Sequence, residues 1–269
     1  MQFKTPPTRE SGDTMSQVMQ QVRRTTYLQD EIHISDAHCH LDLFEDPKRT
    51  IADAISAGVN LMITSGGSRK GNAATTAIAN NGNVFGVVGI DPSSLPTDSA
   101  AIDEIVALIK GNQNIVGIGE IGLDAKEFQH TPLDKQAEAF VRQISIANDL
   151  DVPIVVHSRG AINEAMAIVE KHCLTRAMFH FFEGTEDDAL RMAKLGNIIS
   201  IPPRESSRRK RVINAIDITN IVTETDAPVA GKTPSDVKGV IEFVASTKKM
   251  EFGEVAERVS ENIRSFFHI

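Results

Sequence analysis

The sequence predicts an α/β fold, a parallel (β/α)8 TIM barrel with a metal site at the C-terminal ends of its strands, on three observations. Eight short apolar, β-rich runs alternate with longer amphipathic stretches along most of the chain. Those stretches are long enough for the crossovers that parallel strands require. Metal-ligand residues fall one or two at a time at the ends of the runs: His38 and His40, Glu120, His157, His180 and Asp226. Residues so far apart in sequence can serve one site only where the fold gathers strand ends, as such a barrel does at its C-terminal face. The pattern points to a metal-dependent hydrolase.

The runs cover residues 32–37, 59–64, 84–90, 115–120, 152–157, 176–180, 197–201 and 220–225. Helical periodicity places the intervening elements at 47–57, 98–110, 134–149, 161–172 and 185–195, with two further helices at 234–248 and 251–266. Thr185 before acidic residues, and Thr131-Pro132 before the 134–149 stretch, supply helix-start signals. The 269 residues fit one such domain, since these barrels take about 250. Residues 1–31 stand apart: they are polar, carry paired prolines and read as an appendage to a barrel domain spanning 32–269.

A net charge of −8 argues against wrapping of a nucleic-acid backbone by a broad basic surface, which needs clustered Lys and Arg. It leaves room for local phosphate contacts. One basic cluster, Arg204 with Arg208, Arg209, Lys210 and Arg211, follows the NIISIPP segment and reads first as a solvated helix start. The sequence contains no apolar stretch of the roughly 20 residues that span a bilayer and no leader-like apolar region, so the expectation is a cytoplasmic protein without a membrane partner. Cys39 and Cys173 form no disulfide framework and read as small buried hydrophobes in a reducing compartment.

In an extended strand, residues two apart point the same way, so His38 and His40 can both reach one ion while Cys39 packs behind them. A lone histidine at a strand end is more often a hydrogen-bonded core residue than a ligand, but four histidines and two acids at strand ends act as a set. His33, His130, His172 and His268 lack that placement and read as structural. Glu120 lies among the glycines of VGIGEIGLD, where small residues allow close approach, and its carboxylate can bridge two cations. Asp226, in ETDAP, can bind metal and accept a proton from water. Asp36, on the histidine face of its strand, and Glu224, on the face of Asp226, are candidates to support the ligands or to stabilise the barrel.

The ordered segments DAHCHLD, GEIGLD, HSR, His-Phe-Phe-x-Gly and ETDAP resemble the TatD-type metal-dependent deoxyribonucleases of the amidohydrolase superfamily, over about residues 34–267. The resemblance implies that His38 and His40 ligate one ion with Asp226, that His157 and His180 ligate a second, and that Glu120 bridges them. It implies two divalent metal ions, and imidazole with carboxylate suits Zn2+, Mn2+ or Mg2+ to differing degrees. Its implied activity is that of a deoxyribonuclease or exonuclease cleaving phosphodiester bonds at nucleic-acid ends, with nucleic acid as substrate partner; the ligand chemistry itself makes Asp226 the choice for proton acceptor. The chain departs from the pattern at Phe181, where cysteine is usual, at Glu183, and after ETDAP, where an Arg-Asn pair is missing. That leaves Arg159, Arg204 and Lys232 as candidate substrate contacts. The alternatives are an amide or lactone hydrolase on the same metals, and a barrel that binds metal without catalysis.

Overall fold

The computed structural model describes residues 32–79, 82–127 and 129–269; the appendage expected at residues 1–31 lies outside the described residues. Each apolar run forms a strand: β1 (Ile34–Cys39), β2 (Val59–Ser65), β3 (Val84–Val88), β4 (Ile115–Gly122), β5 (Ile154–His157), β6 (Ala177–Phe179), β7 (Ile198–Ile201) and β8 (Ile221–Thr223). All neighbours pair in parallel and in sequence order. The ends of β8 and β1 meet through two backbone bonds, Asp226 N–H to the His38 carbonyl (2.9 Å) and His40 N–H to the Ala227 carbonyl (2.8 Å). Eight parallel strands joined by helical crossovers make a (β/α)8 barrel.

The helices are α1 (Pro47–Ser56), α2 (Arg69–Ile78), α3 (Leu95–Asp98), α4 (Ile105–Gly111), α5 (Leu133–Leu150), α6 (Ile162–His172), α7 (Glu186–Lys194), α8 (Ser207–Ala215), α9 (Val237–Lys248) and α10 (Phe252–Phe267). The single helix expected at 98–110 is divided between α3, a 3-10 segment at Ser99–Glu104, and α4. Helix α2 has no apolar stripe to announce it, because its buried positions are Gly71, Asn72 and Thr75. It docks by hydrogen bonds instead: the Asn72 amide donates to the Gly89 carbonyl (2.9 Å) and accepts from the Gly89 N–H (3.1 Å). Ser68 caps its first turn by accepting from Gly71 N–H.

Side-chain alternation sorts the strands into two layers. Ala37, Leu61, Ile63, Val87, Val116, Val155, Met178, Ile198 and Val222 fill the barrel interior, and Ile263, Phe266 and Phe267 of α10 pack against them. Helix α10 sits at the N-terminal ends of the strands, where Arg176 donates to the Ser265 and Phe266 carbonyls and Asn262 donates to the Ile218 and Ile221 carbonyls. Met62, Val88, Ile118, Val156, Phe179 and Ile201 face outward and join Phe140, Ile144, Met166 and Ile241 of the helices.

Two slips in register aim the site. Ile118 pairs with Ile154 and Ile121 with Val156, so β4 carries one residue more than β5 between these points, at Glu120. Such a bulge re-aims a side chain, here toward the barrel axis. Close approach of β5 at this place requires glycine: a Cβ on Gly119 would stand 2.6 Å from that of Val155, and one on Gly122, whose φ is +142°, would meet the His157 carbonyl. The second slip, between Asp36 and Cys39, breaks the alternation of β1. Asp36 is therefore paired opposite outward-facing Met62, not on the face of the histidines as alternation alone implies. Its carboxylate accepts from Thr225 N–H (2.9 Å) and Thr225 Oγ1, and so fastens β1 to the segment after β8.

Candidate metal centre

The strand ends bring His38, His40, Glu120, His157, His180 and Asp226 together. Three overlapping sets could each hold an ion, with ligand atoms within 4.8 Å of one another: His38, His40 and Glu120; His38, His180 and Asp226; Glu120, His157 and His180. Glu120 stands at the middle, with Oε2 3.6 Å from Nε2 of both His38 and His40. Its Oε1 lies 2.6 Å from His157 Nδ1 and 3.3 Å from His180 Nε2. Asp226 Oδ1 is 3.2 Å from His40 Nε2 and 3.8 Å from His38 Nε2. One carboxylate oxygen thus faces each histidine pair, and this donor set suits divalent ions.

Three of the imidazoles are oriented from behind. His40 Nδ1 lies 3.2 Å from the Ser65 carbonyl, His180 Nδ1 lies 3.2 Å from Glu224 Oε1, and His157 Nε2 lies 2.8 Å from Asp124 Oδ2. A proton on each of these nitrogens leaves the other nitrogen's lone pair directed at the cluster. Glu224 also accepts from Ser200 Oγ (2.6 Å) and Phe181 N–H (2.7 Å), so it supports His180 rather than facing the cavity. Asp124 is the residue that sequence reasoning missed. Its signal was present, as the last residue of GEIGLD, in register to accept from both His157 and Arg159 Nε (2.7 Å).

Electrostatics follow from burial beside opposite charge. Burial raises the Glu120 carboxyl, but the His180 and His157 imidazoles outweigh it and hold the group well below the usual carboxylate range. Burial lowers His157, and the charge of Glu120 with the bond to Asp124 overrides it, bringing the pKa up to about 9. His38 goes the other way, lowered by burial and by neighbouring His180. Burial raises Asp124, yet the bonds from His157, the Lys126 N–H and Arg159 pull it down to about 2.

Asp226 and Phe181 both hold positive φ, +50° and +47°. Left-handed backbone at a non-glycine residue costs on the order of 1–3 kcal/mol and persists where surrounding bonds fix it. Here Asp226 N–H is held by the His38 carbonyl and Phe181 N–H by Glu224.

Two cavities meet over the cluster, sharing His157, Arg159, His180, Asp226 and Val229. The first, of about 230 Å³, is walled by Lys126, Phe181, Glu183 and Arg204. The second, of about 360 Å³, is walled by Asp42, Ser68, Asp91, Ser93 and Glu127. Arg159 reaches both but is paired with Asp124 (2.7 Å) and Glu127 (3.3 Å). Lys232, expected beside the substrate, is exposed and lines neither cavity, because Thr233 and Asp236 turn the chain toward α9 and Asp236 accepts its N–H. Lys126, which the sequence reading passed over, stands on the cavity wall instead. The basic cluster is largely a solvated helix: Arg208 and Lys210 are exposed and Arg211 pairs with Glu186.

A barrel with this ligand constellation at its strand ends belongs to the metal-dependent hydrolases. Residues 35–268 match the family described as TatD related DNase, and the chain belongs to that family. It is 31% identical to the uncharacterized metal-dependent hydrolase MJ1582 of Methanocaldococcus jannaschii, across 88% of this chain and 98% of that one. It is 26% identical to the human deoxyribonuclease TATDN3, across 88% of this chain and 95% of the relative. The crystal structure of YJJV, a TatD homologue from Escherichia coli K12, superposes with a TM-score of 0.82 at 22% identity, covering 89% of this chain and all of that one. No helix among the described residues is long and apolar enough to cross a membrane.

Proposed function

We propose that the protein hydrolyses phosphodiester bonds of nucleic acid with two divalent ions, acting at strand ends as a deoxyribonuclease. The observation that carries this reading is the placement of Glu120, one oxygen toward His38 and His40 and the other toward His157 and His180. In it, His38, His40 and Asp226 would hold one ion, His157 and His180 the other, and Glu120 would serve both. When bound, such ions supply Lewis acidity, lowering the pKa of a water and polarising the phosphoryl oxygen.

The chain's own residues do the rest. Asp226, on the cavity wall, accepts the proton of the attacking water. Glu224 and Asp124 fix the imidazoles of His180 and His157, so that ligand geometry is set before substrate arrives. In this reading Arg204, on the wall of the cavity that contains Asp226, contacts non-reacting phosphate oxygens, and Arg159, which lines the same cavity, does so only beside its pairing with Asp124 and Glu127. Nucleic-acid naming of TATDN3 supports the substrate class.

The test is a substrate panel on protein stripped by chelator and reloaded with Zn2+, Mn2+ or Mg2+. The expected result is cleavage of oligonucleotides from an end, absent from the stripped protein and restored by reloading. Preferential hydrolysis of a neutral amide or lactone, or undiminished cleavage after rigorous metal removal, overturns it.

A further inference from the structure

Phe181 departs from the usual family pattern, and metal binding does not use its ring. Its N–H is fixed on Glu224, the carboxylate behind His180, and its φ of +47° is rare for a bulky side chain. Held this way, the ring meets two guanidiniums: Arg204 Cζ is 5.6 Å and Arg209 Cζ 5.3 Å from its centroid. Both lie within cation–π range. Arg209, in α8, also donates through Nη1 to the Arg204 carbonyl, and its Nε is buried without a partner.

The charges at this wall are unevenly matched. Arg159 is committed to Asp124 and Glu127, and Arg211 to Glu186. Among the described residues no carboxylate pairs with the Arg204 guanidinium or the Lys126 ammonium, although both line the 230 Å³ cavity. Glu183 is the acid facing them there outside the metal cluster. Lys126 follows β4 and Arg204 follows β7, so the two cations flank the ends of β5 and β6 that carry His157 and His180. Two exposed cations on the wall of one cavity, neither in an ion pair among the described residues, offer an anion a place to bind, and a guanidinium meets phosphate oxygens in bidentate fashion.

Resting on the phosphodiesterase reading, we propose that this wall is a subsite for a phosphate adjacent to the reacting one. Arg204 makes the contact, Lys126 faces it across the cavity, and Phe181 and Arg209 are positioning residues that hold Arg204. The substrate class is then a strand carrying consecutive phosphates, in preference to an isolated phosphodiester.

The experiment compares kcat/KM of the Mn2+-loaded enzyme for a 5′-phosphorylated thymidine trinucleotide and for thymidine 5′-(p-nitrophenyl phosphate), at low and high salt. The unchanged enzyme is expected to prefer the trinucleotide by about tenfold or more, with the preference shrinking as salt rises. Phe181→Leu and Arg209→Gln each lower that ratio by about fivefold or more, through KM of the trinucleotide, whereas Phe181→Tyr keeps the ring and the ratio. A ratio that is unchanged in both Phe181→Leu and Arg209→Gln removes the subsite while phosphodiester hydrolysis stands. Failure of the unchanged enzyme to hydrolyse either substrate overturns the phosphodiesterase reading and the subsite with it.

Discussion

At the scale of single residues, the site depends on carboxylates with different tasks. Asp226 is expected to be the proton acceptor, so Asp226→Asn should lower kcat by about 10²–10⁴-fold while the melting temperature changes little. Steady-state kinetics on metal-loaded variant would show this, and near-normal kcat with metals bound excludes Asp226 from the role. His157 gives a pH dependence. Its pKa rises from 6.5 to about 9 beside Glu120 and Asp124, so in metal-free protein its stabilising contribution is complete below pH 6.5 and is lost as pH climbs through 9. An ion needs the deprotonated imidazole, so apparent metal affinity should increase across the same window. Chelator-competition titrations over that range measure it; affinity independent of pH there contradicts the coupling.

At the scale of elements, strand ends hold the candidate ligands and α10 packs against the strands. Phe266 is fully buried against the barrel interior, and its backbone carbonyl accepts from Arg176 at the start of β6. Phe266→Ala should therefore destabilise the protein by about 3–5 kcal/mol, the range for emptying a buried aromatic position. Urea denaturation read by circular dichroism tests the value; a loss below about 1 kcal/mol would show that α10 closes the barrel without carrying its stability. The slips in β1 and β4 matter at this scale too, since a strictly alternating β4 could not present both outward Ile118 and outward Ile121 around Glu120.

For the whole molecule, buried His38, Glu120, His180 and Asp226, with half-buried His40 beside them, concentrate charge and polar atoms at one end of the barrel. Ions that bind the folded chain and not the unfolded one add stability by mass action, about 2.7 kcal/mol at a hundredfold excess over Kd. Removing divalent ions with chelator is expected to lower the melting temperature, and Zn2+ or Mn2+ to restore it in a concentration-dependent way. A melting temperature indifferent to both treatments would argue that the cluster is a preformed ion-pair network with no metal to hold.

Local chemistry was enough to determine the eight strands, most of the crossovers and the six strand-end residues that come together as candidate ligands. Periodicity marks a strand or an amphipathic helix within a short window, and imidazoles or carboxylates at strand ends remain visible however the chain is bent. Only tertiary structure decided that Asp36 fastens β1 to the segment after β8 instead of standing with the histidines, that Asp124 backs His157, and that Arg204 and Lys126, not Lys232, line the cavity with Asp226. The same holds for α2, whose docking rests on Asn72 and Gly89 rather than on an apolar stripe. The reason is physical: bulges, polar docking and loop direction are set by contacts between residues distant in sequence, and one inserted residue in a strand reverses which face its neighbours present.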